Sequence, residues 1–241
     1  MWTTQTYLDP RALLGYFPCN SDGNELIIWD PESPGKRELE RLAFPRQPRG
    51  ERLCLADFYR PLGSDIDVVA IQAVTAGDEV TELMAKLESD GEFAEQLFVH
   101  GLGVQTAEGM AEWLHARARA ELGIGPAQGR RYSWGYPACP EQSEHEKVFH
   151  LLDAGGRAPI GLRLTSGYAL EPEQSTLAII AHHPQADYFT MRHGQLPKNA
   201  RQAADELIAG TDKDPTRLAE LTDQDPGNEL AGEDEPAMAG A

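Results

Sequence analysis

Apolar and polar residues alternate along the first third of the chain in a way that predicts β-strands. Apolar runs at residues 12–17 and 25–29 flank the turn-forming residues 20–24, a pattern typical of a β-hairpin with a longer loop. Residues 67–74 are apolar and rich in β-branched side chains, which predicts a central strand that ends at residues 75–77.

The middle of the chain predicts helices, at residues 79–87 and 92–122. Large apolar residues of the second helix recur at helical spacing, and we expect them to face a core: Phe98, Leu102, Met110, Trp113 and Leu114. Glu108 lies in a neighbouring row of smaller residues, Gly101, Val104 and Ala111. This carboxylate either faces solvent or meets a group that approaches the helix closely.

The last part of the chain returns to strands after one short helix. Ser143 and Glu146 form a predicted capping box for a helix over residues 144–152. Strands are predicted at residues 160–165, 175–182 and 188–192, and a final helix at about 199–209. Strands, a helical block and strands again predict an α+β fold with an antiparallel sheet.

The charge of the 241-residue chain is strongly negative, with 39 acidic and 21 basic residues and a net charge of −18. This excess argues against nucleic acid as the main partner, because phosphate binding needs a basic surface. Residues 211–241 hold nine acids and two bases, or −7 of that charge, with few large apolar residues. We expect this tail to be disordered; binding to a basic partner is the alternative.

Several other features bear on location and partners. Six bases between residues 31 and 52 interleave with acids, and they belong either to a solvated strand face or to a docking surface for an acidic protein. The chain has no apolar run of membrane-spanning length and no secretory signal at its start. Its three cysteines have no CxxC spacing, which suits a cytoplasmic location.

Common catalytic motifs are missing from the sequence. Gly101, Gly103 and Gly109 have the wrong spacing for a dinucleotide loop and lie within a predicted helix. The sequence contains neither a P-loop nor a GxSxG turn, and its seven histidines make no HExxH motif. We therefore predict no metal site.

The segment from Arg131 to Pro140 has the chemistry of a ligand-binding turn. Arg131 offers a planar fork for a carboxylate, and Gly135 permits close approach of a ligand to the main chain. Prolines stiffen the segment, and three aromatic residues supply flat faces for a ring or a cationic centre: Tyr132, Trp134 and Tyr136. Spacing alone does not name the ligand, since aromatic turns of this kind are often only packed loops.

This segment, RxxxGYPACP at residues 131–140, resembles the S-adenosylmethionine-binding motif of the activation domain of cobalamin-dependent methionine synthase. Further segments resemble the same family in the same order: CLADF at 54–58, AEWLHAR at 111–117, HP at 183–184 and Tyr188. The resemblance covers about residues 13–209. It divides the chain into a domain at 1–210 and the acidic tail at 211–241.

The resemblance implies a C-shaped α+β domain with a twisted antiparallel sheet flanked by helices, and a function in repair during methionine biosynthesis. When the cobalt(I) cofactor has been oxidised to cobalt(II), such a domain presents S-adenosylmethionine for methylation, with one electron from a flavodoxin-like protein. By resemblance Arg131 binds the ligand carboxylate, and Ser133, Gly135 and Tyr136 contact adenosine. Tyr188 lies beside the sulfonium and Glu108 contacts the ligand. The methyl transfer needs no general acid or base.

The chain also departs from the family pattern. Gln142 replaces a frequent histidine, Val104 replaces an expected acid one turn before Glu108, and the helical arm before the first strand is missing. The sequence has neither the DxHxxG cobalamin motif nor a cysteine-rich zinc site. We therefore expect a stand-alone or split methyltransferase module that acts on cobalamin carried by a partner chain. The alternatives are a non-catalytic S-adenosylmethionine sensor and a degenerate fragment.

Overall fold

The computed structural model describes residues 7–153, 160–191 and 194–195. Backbone contacts divide the chain into units at 1–196 and 197–241, and everything described below belongs to the first. The predicted helix at 199–209, the predicted boundary at residue 210 and the acidic tail lie outside the described residues.

The strands and helices of this unit follow one another in an α+β order. The strands are β1 (Arg11–Asp22), β2 (Glu25–Trp29), β3 (Glu38–Ala43), β4 (Asp67–Thr75), β5 (Arg130–Ser133), β6 (Arg163–Leu164), β7 (Leu170–Glu171), β8 (Ser175–Ala181), β9 (Phe189–Thr190) and β10 (Gly194–Gln195). The helices are α1 (Asp78–Ser89), α2 (Phe93–Glu121) and α3 (Glu144–Leu152), with a 3₁₀ turn at Leu55–Phe58. Six strands form one sheet in the order β3-β2-β1-β4-β8-β5, with every neighbouring pair antiparallel. The predicted fold class is confirmed.

The hairpin of β1 and β2 is tighter than the sequence predicted. Asp22 pairs with Glu25, so only Gly23 and Asn24 form the turn. Strand β1 continues through the expected loop because the fold satisfies the polar side chain of Asn20: its Oδ1 accepts a 2.9 Å hydrogen bond from Trp29 Nε1, and its Nδ2 donates to backbone carbonyls around residues 60–65.

The two faces of the sheet have different coverings. One face packs on a large apolar core that includes Val69, Ile71, Leu177 and Ile179. Helix α2 packs on the other face, where Ala111 and Leu114 lie against Val74 of β4. The side chains of Arg131 and Ser133 belong to this second face, because Arg131 pairs with Ile180, which contacts Ala118 of α2.

The apolar face of α2 differs from the prediction. Phe98, Leu102 and Trp113 are 79%, 54% and 58% exposed, whereas Leu114 is buried and Met110 is half-buried. The residues that bury α2 are mostly small: Val99, Gly103, Ala107, Ala111, Leu114, His115 and Ala118. The sheet face beneath already carries large side chains such as Leu14 and Ile180, so the helix approaches through small ones.

Helix α3 has the predicted bounds, but its predicted capping box is absent. Ser143 has helical backbone angles (φ −62°, ψ −23°) and makes no side-chain cap. Its Oγ donates instead to Glu141 Oε1 at 2.9 Å, so local competition for the hydroxyl overrides the motif. Among the later strands, β8 matches the prediction, whereas the predicted strands at 160–165 and 188–192 contain only the two-residue strands β6 and β9 within the described residues.

Three of the six bases at residues 31–52 are paired with the domain's own acids. Arg41 bonds to Asp22, Glu25 and Glu38 at 2.9–3.0 Å, and Arg46 makes a bidentate pair with Asp57. Arg37 pairs with Asp30. The remaining bases of this segment, Lys36, Arg49 and Arg52, are exposed. The surface is therefore less basic than its composition suggests.

No helix in the described part of the chain is long and apolar enough to cross a membrane. The three cysteines, Cys19, Cys54 and Cys139, are buried and form no disulfide.

Candidate functional site

A cavity of about 280 Å³ opens at the β5 edge of the sheet, between that strand, helix α2 and the segment around β9. Five of the six predicted site residues line it: Glu108, Arg131, Ser133, Tyr136 and Tyr188. Its other walls are Tyr132, Pro137, Ala138, Cys139, Phe189 and Thr190. The sixth predicted residue, Gly135, lies in the turn that joins these walls.

The position of β5 at the edge of the sheet explains why both faces of a single strand reach the cavity. Within the described strands, β5 pairs only with β8. Arg131 and Ser133 point toward α2, while Tyr132 points to the opposite face, where it is 3% exposed and packs in the main core. An interior strand would separate these side chains by the sheet, whereas the edge strand lets them converge on one cavity.

Arg131 forms the charged centre of the site. Its Nη2 donates to Glu108 Oε2 at 2.7 Å and to Glu112 Oε1 at 3.0 Å, and its Nε donates to the same Glu112 oxygen at 3.2 Å. The Arg131 side chain is 11% exposed. Burial alone would lower the pKa of Arg131, but the two carboxylates raise it, so the guanidinium stays charged.

Glu112 is a site residue that sequence reasoning missed. It lies one helical turn after Glu108, so both carboxylates project from the same side of α2 toward β5. His115 and Arg131 together hold the pKa of Glu112 down to about 2. Burial lowers the pKa of His115, which favours its neutral form. The sequence did hold one signal for Glu112: it follows Glu108 by four residues, the spacing of neighbours on one face of a helix.

The turn after β5 is fixed by its own backbone. Gly135 has φ +89°, a conformation that favours glycine, and its N–H donates to the Cys139 carbonyl at 2.9 Å. The Cys139 N–H returns a bond to the Tyr136 carbonyl at 3.0 Å. This closed turn leaves Tyr136 63% exposed at the mouth of the cavity. A Cβ on Gly135 would lie 3.1 Å from Nε2 of Gln142, one of the positions at which the sequence departs from the family pattern.

Of the three aromatic residues predicted to face a ligand, two line the cavity. Tyr132 and Tyr136 line the cavity, but Trp134 is 4% exposed and packs edge-on against His145 in the core. Tyr188, from the segment before β9, packs edge-on against Tyr132 with ring centroids 5.6 Å apart. The Tyr132 hydroxyl donates to the Asp187 carbonyl at 2.7 Å, which ties the two aromatic walls together.

The chemistry of the cavity is that of recognition. It combines a charged guanidinium, an exposed carboxylate and flat aromatic walls, a set suited to a ligand with a carboxylate, a cationic group and a ring. Among the described residues that line the cavity, Cys139 is the one with a thiol. Burial raises the pKa of that thiol to about 12, so it remains protonated at neutral pH. In the described part of the chain no group of His, Cys, Asp or Glu side chains is arranged to hold a metal ion.

Comparison with known proteins gives the same family as the sequence motifs. Residues 1–200 match the family described as vitamin B12 dependent methionine synthase, activation domain. Methionine synthases of Mycobacterium tuberculosis and Mycobacterium leprae are each 34% identical over 204 residues, covering 75% of this chain. That match spans 17% of the length of each relative.

A solved structure matches the fold as well. The crystal structure of a MetH reactivation domain bound to AdoHcy superposes with a TM-score of 0.69 at 28% sequence identity. The match covers 82% of this chain and 67% of that one. The chain belongs to the family of activation domains of vitamin B12-dependent methionine synthases.

Proposed function

We propose that this domain binds S-adenosylmethionine and presents its methyl group for the reductive reactivation of cobalamin held on a methionine synthase cobalamin module. The observation that carries the proposal is the position of Arg131 and Glu108 in one aromatic-walled cavity. Family membership supports the same ligand, since the matching reactivation domain was crystallised with AdoHcy, the product that remains after the methyl group leaves.

The cavity offers a partner for each part of this ligand. Arg131 binds the carboxylate through charge-assisted hydrogen bonds. Ser133 and the turn of Gly135 and Tyr136 contact adenosine, largely through the backbone. Tyr188 lies beside the sulfonium, and Glu108 attracts the cationic end of the ligand.

Methyl transfer from a sulfonium requires alignment rather than proton transfer, so the domain acts by positioning the methyl carbon. The cobalamin supplies the cobalt centre that accepts the methyl group together with one electron from an external reductant, and the sulfonium leaves as a thioether. Within the cavity, the high pKa of Cys139 keeps its sulfur from competing for the methyl group as a thiolate.

Two partners are part of this proposal. The cobalamin module must reach the cavity mouth, where Tyr136 is exposed. A flavodoxin-like protein donates the electron, and its acidic surface would meet the exposed bases Lys36, Arg49 and Arg52. Because the other bases of that segment are paired internally, we expect reactivation rates to fall only moderately as salt rises.

Calorimetric titration of the whole chain with S-adenosylmethionine tests the binding step, and no heat of binding at millimolar ligand would exclude it. Reactivation is tested by adding the domain and S-adenosylmethionine to a cobalamin module with a reducing flavodoxin, while the cobalt(II) absorbance is followed. Loss of the cobalt(II) band supports the proposal. Binding without loss of that band would identify a sensor instead.

A further inference from the structure

The guanidinium of Arg131 has two hydrogen-bonding edges, and different acids hold them. Glu112 Oε1 accepts from both Nε and Nη2, so Glu112 occupies the edge formed by those two nitrogens. The second N–H of Nη2 donates to Glu108 on the other edge. On that edge the one contact of Nη1 among the described residues is with Ser133 Oγ, at 3.4 Å. This second edge is the one on the cavity side, because Glu108 and Ser133 both line the cavity.

The two acids also differ in how firmly they are held. Glu112 contacts Arg131 through two nitrogens, lies beside buried His115 and is absent from the cavity wall. Glu108 contacts Arg131 through one nitrogen, and its side chain is 46% exposed against 36% for Glu112. Glu108 can therefore leave Arg131 for the cavity or for solvent, whereas the departure of Glu112 would break a second contact to the same guanidinium.

We propose that Glu112 positions Arg131 while Glu108 serves as an internal carboxylate that the ligand carboxylate displaces. A ligand carboxylate needs both N–H groups of the cavity-side edge for bidentate binding, and Glu108 holds one of them. Glu112 keeps the guanidinium aimed at the cavity throughout this exchange. The inference rests on the proposed function in one respect, the binding of a ligand carboxylate by Arg131.

The exchange makes the cavity selective for ligand charge. Arg131, Glu108 and Glu112 together carry one net negative charge when His115 is neutral. S-adenosylmethionine has one carboxylate, one ammonium and one sulfonium group, hence a net positive charge, and the displaced Glu108 pairs with its cationic end. S-adenosylhomocysteine has no sulfonium charge, so Glu108 returns to Arg131 more readily and the product leaves.

The experiment compares Glu108→Gln and Glu112→Gln in the full chain by calorimetric titration. Three ligands are used: S-adenosylmethionine, S-adenosylhomocysteine and 5′-methylthioadenosine, which has the adenosine and sulfur but no carboxylate. Glu146→Gln is the matched control, because Glu146 is an exposed acid on α3 and its loss changes the net charge equally. Thermal unfolding of each variant shows that it is folded.

For Glu108→Gln we expect S-adenosylhomocysteine to bind about threefold to fivefold more tightly, because a neutral amide competes less well for Arg131. The preference for S-adenosylmethionine over S-adenosylhomocysteine should shrink correspondingly. For Glu112→Gln we expect both carboxylate ligands to bind about tenfold more weakly with their ratio unchanged. 5′-Methylthioadenosine should bind all variants alike.

Two results would overturn the inference while leaving the proposed function intact. One is unchanged or weaker binding of S-adenosylhomocysteine to Glu108→Gln. The other is a loss of 5′-methylthioadenosine affinity in Glu112→Gln as large as the loss for the carboxylate ligands, which would mean a general structural role for Glu112. Failure of the unchanged protein to bind either carboxylate ligand would overturn the proposed function, and this inference with it.

Discussion

Arg131 Nη2 and Glu108 Oε2 lie 2.7 Å apart, joining the edge strand of the sheet to the long helix across 23 positions of sequence. The contact depends on close packing between helix α2 and the sheet, which Ala107 and Ala111 allow by presenting only methyl groups. It also depends on β5 being the edge strand, so that Arg131 reaches the cavity while remaining largely buried. The small side chains of α2 therefore allow the ion pair between Glu108 and Arg131 to form in the site.

Arg131→Lys tests whether the proposed ligand is held by a fork or only by a positive charge. An ammonium cannot bridge two carboxylates and a ligand in one plane, so we expect S-adenosylmethionine binding to weaken nearly as much as in Arg131→Ala. The expected loss is about 2 kcal/mol, or roughly thirtyfold in Kd, measured by calorimetric titration. Full affinity in Arg131→Lys would mean that charge alone holds the carboxylate.

Much of this site could be predicted from the sequence because its residues come from a short local motif. Arg131, Ser133 and Tyr136 follow one another on β5 and its turn, so their convergence needs only local geometry. Glu112 could not be assigned in that way. Its role depends on the distance and orientation between α2 and β5, which the pattern of apolar residues along α2 does not specify.

The exposed residues of α2 illustrate the same limit. Helical periodicity predicted one core-facing set of large apolar residues in α2, but Phe98 and Trp113 are exposed whereas Leu114 is buried. Periodicity alone does not say which face of the helix meets the sheet. Phe98 and Trp113 form one apolar face, yet the small residues around Ala107 and Ala111 lie on the buried one. The orientation of α2 depends on the volume of the side chains that the facing sheet presents to it, and which side chains those are is set by the tertiary structure.

Trp113 and Leu114 provide a direct test of the orientation of α2. They are sequence neighbours, but Trp113 is 58% exposed and Leu114 is 4% exposed. We expect Leu114→Ala to lower the free energy of unfolding by about 2–5 kcal/mol, because it leaves a cavity against the sheet. Trp113→Ala should cost less than about 1 kcal/mol in the same urea titration. Equal losses would show that α2 is rotated relative to the sheet.

Gly103 and Gly101 test how closely α2 packs on its neighbours. A Cβ on Gly103 would lie 2.9 Å from Val80 Cγ1 and 2.9 Å from Gln174 Cγ, whereas one on Gly101 meets nothing within 4 Å. Gly101→Ala should therefore stabilise the protein by about 0.5–1 kcal/mol through helix propensity. Gly103→Ala gains the same propensity but overpacks the contact, and we expect a net loss of about 1 kcal/mol. Thermal unfolding midpoints that rise in both variants would contradict the close packing.

The hydrogen bond between His182 and Asp67 predicts that the free energy of unfolding changes near neutral pH. His182 Nε2 lies 3.0 Å from Asp67 Oδ1, and this hydrogen bond raises the pKa of His182. Because the folded pKa exceeds the unfolded value of about 6.5, the stabilisation is complete below that pH and is lost as the pH rises through the folded pKa. The free energy of unfolding of the unchanged protein should therefore fall when the pH is raised from about 6 to about 8. In His182→Gln the fall over the same interval should be smaller by about 1 kcal/mol. Urea titrations at both pH values measure this difference, and an identical pH dependence in the two proteins would assign the effect to other groups.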